Sequence, residues 1–145
     1  MLNSLINFVR NCVTLIYSGW FIYIGIMHFV DPSWFEPIVP QILGYPKFWV
    51  FLSGSIEIML ALILIPTYTR TVASLLFFSF LIVIYWANLN MWINDIAIGG
   101  KYLSNTEHLI RALIQISLII IVMWIGKLNR QIFLSGFKWI SKRNG

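Results

Sequence analysis

The chain has 145 residues, of which 59% are hydrophobic and only 10% are charged, and its formal net charge is +5. Soluble domains are about 45–50% apolar and about 25% charged, so this chain has too few polar residues to cover a globule of its size. The composition therefore excludes a soluble enzyme, a disordered segment and a nucleic-acid-binding domain, in spite of the excess positive charge.

Long apolar stretches predict transmembrane helices, because about 20 residues at 1.5 Å per residue cross the hydrocarbon core. In chain order these stretches are 13–30, 48–65, 71–93 and 109–126. Backbone groups in lipid must be hydrogen-bonded within the segment, so we expect each stretch to be helical. The sequence thus predicts an all-α, polytopic membrane four-helix bundle over residues 1–126, with its helices running up-down-up-down.

The segment 127–145 has a different pattern from the four stretches. Its apolar residues recur every three to five positions, with basic residues between them. They are Leu128, Ile132, Phe133, Phe137 and Ile140. This pattern is typical of a basic amphipathic helix on a membrane surface, so we expect an interfacial helix at the cytoplasmic leaflet. Binding of a partner is the alternative.

Lys and Arg residues are distributed unequally between the two sides of the predicted bundle. The side that holds the N-terminus and the tail collects seven of them: Arg10, Arg70, Lys127, Arg130, Lys138, Lys142 and Arg143. The other side has Lys47 and Lys101, and Arg111 lies inside the fourth stretch. By the positive-inside rule we expect both termini in the cytoplasm.

The outer connection Asp31–Lys47 is unusually apolar for a loop. It contains four prolines, with Trp34, Phe35, Ile42 and other apolar residues between them. Water would solvate such a loop poorly. We expect it either to fold back as a lid over a pocket or to lie along the lipid headgroups as an anchor, and both interpretations remain open.

Ionisable residues inside a span are strong indicators of function, because a charge there costs roughly 2.5–3.5 kcal/mol on insertion scales. Glu57 lies in the middle of the second stretch, and Arg111 lies in the first turn of the fourth. Other polar residues occupy the outer half of the stretches: His28, Ser53, Asn88, Asn90 and Gln115. The inner half is almost entirely Leu, Ile, Val and Phe. These positions predict that the seven polar side chains meet in one pocket on the outer side.

Three interpretations of this polar cluster remain open. In a ligand pocket, Glu57 and His28 would be the catalytic proton acceptor and donor. The ligand-binding residues would then be Arg111, Asn88, Asn90, Gln115 and Ser53. In a structural cluster, Glu57 and Arg111 would neutralise each other, and the protein would be a non-catalytic subunit or interaction module. A small-molecule transporter or ion path is the third interpretation, disfavoured by the apolar inner half and by the lack of internal repeats.

Several segments resemble, in order, the DoxX-like family of small four-helix bacterial membrane proteins. They are Gly25-Ile-Met-His28-Phe29, Pro32, Phe35, Ile38-Val39-Pro40, Ser53-Gly54, Glu57-Ile58, Pro66, Thr69-Arg70, Ala73, Ala87-Asn88, Asn90-Met91, Arg111 and Gln115. The resemblance covers about residues 20–115, and Leu113 stands where the family has a proline. It implies a membrane subunit linked to thiosulfate oxidation with a quinone as acceptor, or a role in redox homeostasis. The single cysteine, Cys12, gives no thiol relay, so the thiosulfate chemistry is not carried over.

The leading prediction is a DoxX-like membrane protein whose outer pocket binds a quinone or a lipid-like molecule in a redox-linked process. Whether it is a membrane oxidoreductase, or a subunit of one, is left open. The cofactor is unidentified, with a quinone as the candidate, and no spacing of metal ligands predicts a metal site. Expected partners are membrane lipids, a hydrophobic small molecule, and other membrane subunits or a second copy of the chain; no nucleic acid is expected.

Overall fold

The computed structural model describes residues 1–128, and these residues form helices and their connections. The long helices are α1 (Leu2–Val30), α3 (Pro46–Leu64), α4 (Arg70–Ile93) and α5 (Asn105–Ile125), and a single-turn helix α2 covers Pro32–Phe35. Each long helix has the length and apolar composition to cross a membrane. For residues 1–128, the prediction of a helical chain with four helices long and apolar enough to cross a membrane is therefore confirmed. From position 129 onward, the predicted interfacial helix lies outside the described residues.

Two of the long helices begin at least one turn earlier than the apolar stretches that predicted them. Helix α1 starts at Leu2, and α5 starts at Asn105. The start of α5 is fixed by a capping box: the Glu107 amide donates to Ser104 Oγ at 3.3 Å, and the Ser104 amide donates to Glu107 Oε2 at 2.8 Å. Such a box satisfies backbone groups that the first turn leaves free. Hydropathy indicates only the part of a helix that suits the hydrocarbon layer, so it misses polar first turns.

Aromatic rings form the centre of the bundle. Tyr17 and Phe21 of α1 pack on Phe77 of α4, with ring centroids 5.4 and 4.6 Å away in edge-to-face contacts. The Tyr17 hydroxyl donates to the Leu118 carbonyl of α5 at 3.2 Å. Most of the remaining apolar surface faces outward: only 17% of the most apolar 18-residue part of α5 is buried inside the bundle. An outer surface of this kind suits lipid rather than water.

The guanidinium of Arg70 joins α1, α3 and α4 at one end of the bundle. We call this region, formed by Asn11, Ile65, Arg70 and Gly126, the Arg70 end. Arg70 donates to the Leu64 carbonyl at 3.3 Å, to the Ile65 carbonyl at 2.8 Å and to Asn11 Oδ1 at 2.8 Å. The carbonyls near the C-terminus of a helix have no partner within the helix. Arg70 therefore serves as a cap for α3 and ties it to α1 and α4.

The half of the bundle next to the Arg70 end is more polar than the sequence indicated. Thr14 and Ser74 are fully buried there, each about one turn from Asn11 or Arg70, and Arg70 itself is only 9% exposed. The expectation that the inner half carries almost no polar side chains is therefore wrong. Thr14 Oγ1 donates to the Arg10 carbonyl of its own helix at 2.7 Å. A hydroxyl that bonds its own helix can be buried at little cost, so hydropathy gives no sign of it.

Candidate functional site

Two glycines bring α1 and α3 into close contact. A Cβ atom added to Gly54 would lie 2.6 Å from His28 Cβ and 2.9 Å from the Gly25 carbonyl oxygen. Any larger residue at Gly54 would therefore push the two helices apart. Small residues at such a crossing are typical of membrane helix pairs, since they allow the backbones to approach. The contact sets His28 of α1 against α3, on the face that carries Glu57.

His28 and Glu57 form the core of the candidate site. Both are buried, each with 5% of its surface exposed, and His28 Nδ1 lies 3.7 Å from Glu57 Oε2. Nδ1 is 2.8 Å from the Ile24 carbonyl oxygen. A carbonyl oxygen can only accept, so Nδ1 carries the hydrogen and donates it to Ile24. Glu57 Oε2 is consequently left without a hydrogen-bond partner among the described residues.

The connection Asp31–Lys47 covers this pair. The Phe35 ring lies parallel to the His28 imidazole, with 3.9 Å between centroids and 16° between planes. Asn90 Nδ2 of α4 donates to the Ile38 carbonyl of the same connection at 3.3 Å. The segment 32–40 thus folds back onto the end of the bundle, whereas Ile42 and Tyr45 remain exposed. We call this part of the protein, with His28, Glu57 and the covering segment, the His28 end.

Arg111, Asn88 and Gln115 tie α5 to α4. Arg111 Nη2 donates to Asn88 Oδ1 at 2.5 Å, and Gln115 Nε2 donates to the Leu81 carbonyl at 2.7 Å. These bonds fix the register between the two helices, and the buried Nε–H of Arg111 has no acceptor among the described residues.

The predicted cluster of seven residues thus divides into smaller groups. His28 pairs with Glu57, Arg111 pairs with Asn88, and no hydrogen bond within residues 1–128 joins the two pairs. Ser53 Oγ donates to the Val50 carbonyl of its own helix at 2.9 Å. In the described chain, Glu57 and Arg111 form no ion pair within 4.0 Å, and no group of three or more His, Cys, Asp or Glu side chains is close enough to hold a metal ion.

Comparison with known proteins places most of this arrangement within one family. Residues 17–126 match the family described as Domain of unknown function (DUF8561). The chain belongs to the DUF8561 family. The matched range takes in His28, Phe35, Glu57, Asn88 and Arg111. No curated protein and no solved structure shows significant similarity to the chain.

A further buried residue of the DUF8561 segment, His108 near the start of α5, was not predicted from the sequence. His108 has 5% of its surface exposed, and its ring lies parallel to that of Trp92, with 5.3 Å between centroids. His108 precedes Arg111 and Gln115 at helical spacing, so the three share one face of α5. That spacing was a usable signal that His108 points at α4 rather than into solvent.

Proposed function

We propose that the protein is a DoxX-like integral membrane protein that binds a hydrophobic molecule with a hydrogen-bonding head group at the His28 end. A quinone or a lipid-like compound has the required chemistry. The head group would lie between His28 and Glu57, beneath Phe35, and its tail would lie among the apolar side chains of the bundle or the lipid. A redox-linked role is what the DoxX resemblance implies.

The observation that carries this proposal is the unpartnered oxygen of Glu57. A buried polar atom without a hydrogen bond costs about 1–3 kcal/mol, and more when it is charged. Glu57 Oε2 is buried, and His28 Nδ1, which lies 3.7 Å away, already donates its hydrogen to Ile24. A hydroxyl or N–H of a ligand would satisfy Oε2, so a donor on the head group is expected.

His28 supplies the complementary chemistry. With its hydrogen on Nδ1, a neutral imidazole presents Nε2 as an acceptor. Histidine also takes up or releases a proton near neutral pH more readily than other side chains. A head group between Nε2 and Glu57 Oε2 could exchange a proton with either residue. This chemistry fits the interconversion of a quinone and a hydroquinone, in which the oxygens gain or lose protons.

Access to the pair requires the covering segment to move. Phe35 lies directly over the imidazole, and both His28 and Glu57 are almost fully buried. These contacts support the lid interpretation for residues 32–40. The exposed Ile42 and Tyr45 suit the interfacial anchor, so the two interpretations of the Asp31–Lys47 connection apply to different parts of it.

The proposal places the chain in the bacterial inner membrane, with helices running up-down-up-down and both termini cytoplasmic. The pairing of helix ends supports the topology: Thr71, at the start of α4, donates to Gly126 just after α5, and Asn88, late in α4, accepts from Arg111, early in α5. Arg10, Arg70 and Lys127 lie at the Arg70 end, and these cations, with the basic sequence that follows Lys127, support the orientation.

A second candidate function is favoured by the bonds between α4 and α5. Arg111, Asn88 and Gln115 all have partners within the chain, as expected if they only hold helices in register. The protein would then be a non-catalytic membrane subunit or interaction module. In that case the ligand-binding role predicted for these three residues would not apply.

The test is direct binding of decylubiquinol, whose two hydroxyls supply the donor that Glu57 Oε2 lacks, to the full-length protein in detergent micelles. Trp34 is a built-in reporter, because its ring centroid lies 4.9 Å from that of Phe35. We expect quenching of its fluorescence on binding, and loss of this quenching in Trp34→Phe. Glu57→Gln keeps the size of the side chain and removes the carboxylate, so it should weaken binding about tenfold or more.

The matched control is Asp95→Asn, which removes a carboxylate from the connection between α4 and α5. Asp95 has φ of 46°, a conformation that asparagine tolerates well. This variant should bind as the wild type does. Unchanged binding by a folded Glu57→Gln variant would overturn the proposal. A Glu57→Gln protein that binds nothing but also unfolds would instead support the structural candidate, so thermal unfolding of each variant is measured alongside.

A further inference from the structure

A polar cavity of about 390 Å³ opens at the Arg70 end, away from the site described above. Three cationic side chains line it: Arg10, Arg70 and Lys127. Two amides and two hydroxyls complete its polar wall, from Asn7, Asn11, Thr67 and Thr71. Cations, amides and hydroxyls can all donate hydrogen bonds to an anion.

Within residues 1–128, no carboxylate lies in the cavity to neutralise these cations. The whole chain contains five acidic side chains, Asp31, Glu36, Glu57, Asp95 and Glu107. None of the five lines the cavity. The hydrogen bonds that Arg70 makes go to neutral oxygens of Leu64, Ile65 and Asn11. Positive charges that share a cavity repel each other, so a bound anion would stabilise this end of the protein.

Arg70 is fixed in position and still has N–H donors for such an anion. A guanidinium has five N–H donors. Its three bonds to the bundle leave one N–H on Nη1 and one on Nη2, and these two atoms can bind a phosphate or carboxylate in a bidentate manner. Because Arg70 is 9% exposed and already fixed, binding would require little ordering of its side chain.

Arg10 is similarly placed but less satisfied. Its guanidinium carbon lies 5.0 Å from the centroid of the Trp124 ring, and its Nη1 donates to Asn7 Oδ1 at 3.1 Å. Its Nε is buried and has no acceptor among the described residues. The ring fixes the position of the charge, and Arg10 keeps donors free for a ligand.

A second cavity, of about 530 Å³, adjoins the first and shares Asn7, Arg10 and Lys127 with it. Its wall adds apolar side chains from Ile6, Met123 and Trp124. A cationic cavity next to an apolar one matches a molecule with an anionic head and a hydrocarbon tail. The same cations would also accept a water-soluble phosphate compound.

We propose that the cavity between Arg10 and Arg70 binds a phosphate-bearing anion, either the phosphate head group of an anionic lipid or a soluble phosphate. Phosphate matches the donor set because its oxygens accept several charge-assisted hydrogen bonds at once. The proposed site is separate from the His28 end and uses none of its residues.

The experiment measures both sources on the full-length protein. In the lipid arm, nanodiscs containing equal amounts of phosphatidylglycerol and phosphatidylcholine are analysed by native mass spectrometry for retained lipid. In the soluble arm, the melting temperature in a neutral detergent is followed against inorganic phosphate at constant ionic strength. Arg10→Gln removes a charge but leaves Arg70 and its three structural bonds intact. Lys47→Gln is the matched control, because Lys47 is a cation at the other end that also lies over a ring, that of Phe51 at 5.7 Å.

We expect the wild type and Lys47→Gln to retain phosphatidylglycerol in preference to phosphatidylcholine, and Arg10→Gln to weaken that preference about tenfold. A rise in melting temperature with phosphate alone, sensitive to Arg10→Gln, would identify a soluble ligand instead and still support the site. Equal loss of preference in Arg10→Gln and Lys47→Gln would overturn the proposal, because it would show only general charge attraction. Absence of binding in both arms would overturn it as well.

Discussion

The contact between Gly25 and Gly54 gives the sharpest prediction about stability. A Cβ atom at Gly54 would lie 2.6 Å from His28 Cβ, whereas carbon atoms pack best at about 3.5–4.0 Å. The obstructing atoms are His28 Cβ and the Gly25 carbonyl oxygen, which are fixed to the backbone of α1. In Gly54→Ala, α1 must therefore move away from α3 by about 1 Å. Overpacking of this kind costs about 1–3 kcal/mol.

The matched control for this variant is Gly19→Ala in α1. Nothing lies within 4 Å of a Cβ atom at Gly19. Alanine is favoured over glycine in a helix by about 0.5–1 kcal/mol, so this change should stabilise the protein slightly. Reversible unfolding of both variants in mixed micelles, with rising dodecyl sulfate, gives the free energies of unfolding. If the two values agreed to within about 0.5 kcal/mol, the reasoning that the glycine contact holds α1 against α3 would be refuted.

Two further predictions concern the cover over His28 and the bond between Arg111 and Asn88. In Phe35→Ala the imidazole of His28 loses its cover, so its modification by diethyl pyrocarbonate should become severalfold faster, while His108, buried against Trp92, reacts as before. Peptide mass spectrometry separates the two histidines, and equal rates of His28 modification in the variant and the wild type would contradict the lid. For Arg111 and Asn88, a double-mutant cycle with alanine at each position should give a coupling free energy of about 0.5–1.5 kcal/mol in the same micelle assay, since a membrane-buried hydrogen bond contributes on that scale. A coupling near zero would show that the bond does not join α4 to α5.

The sequence alone predicted the long helices, because hydropathy over about 20 residues depends only on the solvent that surrounds them. It did not predict where α1 and α5 begin. The signal for α5 was present, since Ser104 and Glu107 stand in the spacing of a capping box. Leu2 at the start of α1 has no comparable marker: no side chain caps that end.

The candidate site was predicted in composition but not in arrangement. Depth along each helix indicated that Glu57 and His28 lie in the same part of the bundle, and they are 3.7 Å apart. Which neighbour each polar residue selects depends on helix rotation and on close approach at Gly54, and a single sequence does not determine either. Arg70 was interpreted as an orientation signal only, because its role as a cap for α3 depends on a contact between separate helices.

The bonds of Arg70 have a mechanical consequence for any opening of the bundle. Helix α3 ends at Leu64, so the carbonyls of Leu64 and Ile65 have no helical N–H to accept from, and Arg70 provides their donors. Sliding α4 along α3 would break both bonds together. We therefore expect α3 and α4 to travel as one stiff hairpin. Space for a ligand at the His28 end would then have to come from bending of α1 and from displacement of the covering segment that follows it.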